Sequence, residues 1–102
     1  MPLRTLILDR LAADEFRKAE HRYRRLTPAT GQRFRQAVND AIQRIATVAE
    51  QGSPYRHRYR WMQVKRFPYL IYYEIRDPHP VYVYAVAHTS RRLGYWRQRR
   101  PP

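Results

Sequence analysis

The residues with chemistry to offer lie in the second half of the chain. Glu74 sits near the end of KRFPYLIYYEI, and His88 closes VYVYAVAH. Arg91, Arg92, Tyr95, Trp96 and Arg97 then follow within SRRLGYWRQRR. Two chemistries suit this set. Cleaving RNA through its 2′-hydroxyl needs a proton acceptor, a proton donor and cations on the phosphate. Imidazole titrates near neutrality, so His88 fits either proton role. Glu74 fits a base, Tyr95 an acid if its pKa is shifted, and Arg66, Arg91 and Arg92 a phosphate clamp. The other chemistry is recognition without bond breaking. Arginine interleaved with aromatic rings is the composition of interface hot spots, and it serves phosphate or carboxylate partners equally. Each residue also has a structural reading: His88 bonded to backbone or tail, Trp96 pinning the tail to a sheet while its arginines are solvated. His21, His57 and His79 lack metal-site spacing, and the absence of cysteine excludes thiolate metal sites and disulfides. No metal or cofactor is expected.

Positioning these groups falls to elements that the periodicity reveals. LRTLIL, residues 3–8, reads as a short strand ending at Asp9, not as a signal peptide. Leu11, Ala12, Phe16, Ala19, Tyr23 and Leu26 recur at helical spacing, with Asp14 and Glu15 early and Arg22, Arg24 and Arg25 late, an order that matches the helix dipole. Thr27 and Pro28 start a second helix, expected to run to about Glu50 with Phe34, Val38, Ala41, Ile42 and Ile45 on its apolar stripe. Gly31 weakens its first turn, and Gly52 and Pro54 stop it. So short a turn between helices predicts an antiparallel hairpin. Beyond Pro54 the period becomes two, predicting strands over about 58–66, 69–76 and 80–88, with RDPHP as a tight turn between the last two. Strict alternation sends Tyr69, Ile71, Tyr73 and Ile75 toward the helices, and Leu70, Tyr72, Glu74 and Arg76 away from them. It likewise groups Val81, Val83, Ala85 and Ala87 on a small-residue face, and Tyr82, Tyr84, Val86 and His88 on a larger, half-polar one. The expected fold is α+β: an N-terminal strand and a helical hairpin packed on a small antiparallel sheet of three to four strands, with a short basic C-terminal tail.

Size and charge limit the functions available. The 102 residues suffice for one domain, expected to span 1–102, and no run is long and apolar enough for a membrane span. The chain carries 21 Lys and Arg against 8 Asp and Glu, a net +13. The excess is uneven, at 10 basic to 6 acidic through residue 55 and 11 to 2 after it. Nearly all the cations are arginine, which a GC-rich coding sequence can favour, but such coding does not explain the shortage of acids after residue 55. A field of this sign attracts polyanions, whether nucleic acid or an acidic protein. The lack of cysteine agrees with a cytoplasmic location.

The ordered combination VKRFPYLIYYEI and VYVYAVAHTSRRLGYWRQR, preceded by the helix GQRFRQAVNDAIQRIATVAEQGSP, resembles the ParE branch of the RelE/ParE toxin superfamily over about residues 11–99. RRLGYW departs from the acidic residue and proline that commonly follow the arginines there. The resemblance implies a type II toxin–antitoxin toxin of the kind that stabilises plasmids and arrests growth. Its expected partner is a cognate antitoxin whose C-terminal segment wraps it in a hetero-oligomer. The ParE branch implies non-enzymatic inhibition of DNA gyrase; the target-binding set expected from the arginine-and-ring composition is Arg91, Arg92, Tyr95, Trp96 and Arg97. The other branch implies ribosome-dependent mRNA cleavage, for which His88, Glu74, Tyr95 and Arg66 are the catalytic candidates. A third class, a plain basic nucleic-acid-binding module, predicts salt-sensitive binding without toxicity. The branches share a fold, so fold does not choose between them.

Overall fold

The computed structural model describes residues 3–76 and 80–101. Asp77, Pro78 and His79, and with them most of the expected RDPHP turn, lie outside the described residues. The elements in chain order are β1 (Leu6–Leu8), α1 (Arg10–Leu26), α2 (Pro28–Val48), a 3-10 turn (Ala49–Gln51), β2 (Ser53–Tyr55), β3 (Tyr59–Val64), β4 (Tyr69–Ile75) and β5 (Val81–His88). The fold is α+β as expected, but the sheet has five strands in the order β1-β5-β4-β3-β2 and is mixed. β1 pairs with β5 in parallel, Leu6 opposite Val81 and Leu8 opposite Val83, while the other pairs are antiparallel. The extra strand, β2, is three residues long, contains Pro54 and lies at the sheet edge, where a residue without an N–H is tolerated.

Local chemistry sets the helix ends. Asp9 caps α1, its Oδ1 accepting from Leu11 N–H at 2.8 Å. Thr27 ends α1 and caps α2, its Oγ1 accepting from Thr30 N–H at 3.0 Å. Gly31 permits the close approach of the hairpin, because a Cβ there would stand 2.8 Å from Arg24 Cβ. The apolar stripes of both helices meet the sheet around Phe34, Val38, Ala41, Ile45, Val64, Ile71, Tyr73, Val81 and Val83. Phe34 is ringed by Phe16, Tyr23, Phe67 and Tyr69, with centroids 4.9–6.1 Å away, within the range of favourable ring pairs.

β4 follows the expected alternation, but β5 departs from it. Tyr72 pairs with Ala85 whereas Tyr73 pairs with Val83, so Tyr84 is an extra residue, a β-bulge. The bulge reverses the faces beyond it. Val81, Val83 and Val86 point into the helix-side core, while Tyr82, Tyr84, Ala85 and Ala87 join the opposite cluster. The expected grouping of Ala85 and Ala87 with Val81, and of Val86 and His88 with Tyr82, is thereby corrected. His88 stands opposite Tyr69 on the helix side, with ring centroids 5.1 Å apart.

Candidate functional site

The sheet face away from the helices is aromatic and is closed by the C-terminal tail. Tyr55, Tyr59, Tyr72 and Tyr84 surround Trp96 at centroid distances of 4.8–5.8 Å. Trp96 is fully buried, so it anchors the tail and is not itself a contact surface. Its indole N–H is the one buried side-chain polar atom without a hydrogen-bond partner among the described residues. Around this anchor Arg91, Arg92 and Arg97 are exposed, as is Leu93, an apolar residue between the arginines that composition alone does not single out. Arg91, Arg92, Leu93, Tyr95 and Trp96 line one small cleft, and Arg91 stacks on the Tyr95 ring with its guanidinium carbon 3.9 Å from the centroid. Stacking uses the guanidinium face and leaves its N–H edge free for a partner.

A polar clamp fixes the tail from the other side. Arg99 grips the Glu15 carboxylate of α1 through both nitrogens, at 3.0 and 2.9 Å, and its Nη1 also donates to the Tyr84 carbonyl at 2.8 Å. Tyr95 donates to Glu15 Oε2 at 2.5 Å, and the Val86 backbone N–H donates to Oε1 at 3.1 Å. β5 runs five residues past the last one paired with β1, leaving an edge with unpaired backbone groups. The Glu15 and Arg99 side chains fill the place of a neighbouring strand there, one as acceptor and one as donor. Burial, then the Glu15 carboxylate, raises the Tyr95 pKa, so the hydroxyl stays protonated and acts as a donor to Glu15 at neutral pH.

The nuclease candidates are brought together only in part: His88, Arg91, Arg92 and Tyr95 line the small cleft beside the tail, whereas Glu74 and Arg66 lie elsewhere. Glu74 accepts from Tyr84 O–H at 2.7 Å and pairs with Arg58 at 3.3 Å, on the tail side of the sheet. His88 lies on the helix side, opposite Tyr69, five positions along β4 from Glu74. At about 3.3 Å per residue this separates them by roughly 16 Å along the strand, on opposite faces. The His88 Nδ1 accepts from Ser90 N–H at 3.0 Å, leaving Nε2 to carry the proton of the neutral ring. Arg66 adopts a left-handed φ of 72° in the turn between β3 and β4. It lines a separate groove with Thr30, Arg33, Gln36, Lys65 and Phe67.

Glu15 is the residue that sequence reasoning passes over. It falls between Ala12 and Ala19 at spacings of three and four, on the stripe that faces the core. A carboxylate at such a position, in a chain poor in acids, is a signal for a buried basic partner. Among the described residues no group of His, Asp and Glu side chains is arranged to hold a metal ion, and no helix is long and apolar enough to cross a membrane.

The family model described as the ParE toxin of type II toxin-antitoxin system, parDE, matches residues 6–93. No curated protein matches the sequence.

Proposed function

The chain belongs to the ParE toxin family of type II toxin–antitoxin systems, and from that premise we propose that it arrests growth by binding DNA gyrase through its arginine-bearing tail, without enzymatic chemistry. The observation that carries this reading is the anchored tail: Trp96 and the Glu15–Arg99 clamp hold exposed Arg91, Arg92 and Arg97 on a rigid base. A tail backbone fixed this way needs no ordering on binding, and Arg91 is already stacked on Tyr95, which favours affinity. The separation of His88 and Glu74 argues against Glu74 as the base partner of His88, and Tyr95, beside His88, is engaged as a donor to Glu15; both support binding over RNA cleavage.

Membership of this family carries an antitoxin partner with it. An acidic antitoxin segment fits the +13 charge, and it would neutralise the toxin by lying across the hairpin and sheet edge in a hetero-oligomer. Gyrase as target makes the cytoplasm the site of action, and a role in plasmid stabilisation follows from the same reading. The test is direct binding of the purified protein to gyrase. The triple variant Arg91→Ala, Arg92→Ala, Arg97→Ala should bind at least ~10-fold more weakly, a loss of about 1.4 kcal/mol. Unchanged affinity in that variant would move the binding surface elsewhere.

A further inference from the structure

Beside the tail surface, and sharing Arg91 with it, basic side chains and a histidine from three elements converge on one cleft. Lys18 and Arg22 come from successive turns of α1, His88 from the end of β5, and Arg91 from the tail. With Tyr69 and Tyr95 they line a cleft of about 180 Å³, room for a single small anion. Among the described residues, no ion pair engages Lys18, Arg22 or Arg91. The carboxylate on the inner wall, Glu15, is already satisfied by Arg99 and Tyr95. We propose that this cleft binds a phosphate group, held by Lys18, Arg22, Arg91 and the Nε2–H of His88.

The donor geometry favours phosphate over a carboxylate. A carboxylate is planar and is satisfied by one guanidinium fork, whereas a tetrahedral phosphate takes donors arriving from several directions. Arg22 donates to the Tyr69 hydroxyl oxygen, which leaves the Tyr69 proton free to donate in turn. Burial raises the Tyr69 pKa, so that proton is retained. The stacked Arg91 guanidinium keeps its N–H edge for the ligand. The Ser90 N–H on Nδ1 fixes the His88 tautomer that donates from Nε2. This assignment does not depend on gyrase being the target.

The experiment is a titration of the full chain with inorganic phosphate, followed by amide and side-chain NMR shifts. Saturable binding in the ~mM range is expected, with the shifts centred on residues 18–22, 69, 88 and 91. Lys18→Gln, at an exposed position, should weaken it ~10-fold, whereas Arg33→Gln in the groove over α2 should leave it unchanged. Equal loss in both variants, unsaturable shifts, or acetate competing as well as phosphate would overturn the assignment. A short oligonucleotide with and without a terminal phosphate then identifies the source. Preference for the phosphorylated end supports a terminal monoester, and equal binding through Lys18 supports a backbone diester.

Discussion

Glu15 accepts hydrogen bonds from Tyr95, from Arg99 and from the backbone of Val86, and both ends of its pair with Arg99 are largely buried. Removing one partner of a buried ion pair leaves an uncompensated charge, so Glu15→Ala should cost about 3 kcal/mol in urea denaturation. A loss below ~1 kcal/mol would mean that the clamp behaves like an exposed pair. Three tyrosines give a second residue-scale expectation. Burial, and then the Asp9 carboxylate, pushes Tyr82 up to about 12, while burial and the carboxylates of Glu74 and Glu15 raise Tyr84 and Tyr95. Tyrosine in the unfolded chain ionises near 10.0. The folded state therefore favours the neutral phenols. Their contribution to stability is complete below pH 10 and lost as pH rises through the folded values. Denaturation midpoints should fall between pH 10 and 12, and a flat profile across that window would contradict these placements. The tyrosines were legible in the sequence as a ring-rich face. The carboxylate partners of Tyr82 and Tyr95 were not, because Asp9 and Glu15 lie far from them in sequence, whereas Glu74 lies on the strand next to Tyr84.

At the scale of elements, α1, α2, β3, β4 and β5 emerge from periodicity to within a few residues, because each buries one stripe or one face. The remainder escaped for physical reasons. β2 is a three-residue edge strand containing a proline, too short to show a period. The parallel pairing of β1 with β5 is a long-range contact with no local signature. The bulge at Tyr84 is silent, since VYVYAVAH alternates plausibly on either side of it, yet it decides which face His88 occupies. Of the candidate site, the exposed arginines and the anchoring role open to Trp96 were readable, whereas the clamp that seats the tail on α1 was not. Trp96→Ala should cost about 3–5 kcal/mol and, by loosening the tail, should also weaken target binding. Near-native stability with that variant would show that the tail docks without its anchor. Gly52→Ala probes the opposite, helix-side face. A Cβ there would stand 1.9 Å from Tyr73 Oη, whose hydroxyl donates to the Ala49 carbonyl at 2.6 Å. The expected loss is about 1–3 kcal/mol, read from the shift in thermal midpoint.

For the whole molecule, the net +13 charge belongs to a toxin whose family implies an antitoxin, and the proposed partner is an acidic one. Its association with such a partner should slow steeply as salt rises, since steering between opposite charges is screened within about 8 Å at physiological ionic strength. Stopped-flow association rates across a salt series measure this, and salt-independent rates would remove charge from the account of recognition. The most direct test of binding without cleavage sets two purified reactions side by side: gyrase supercoiling a relaxed plasmid, and ribosomes translating a defined mRNA, each with the toxin added. The proposed function predicts that supercoiling stops while the mRNA stays intact; cleaved mRNA beside undiminished supercoiling would contradict it.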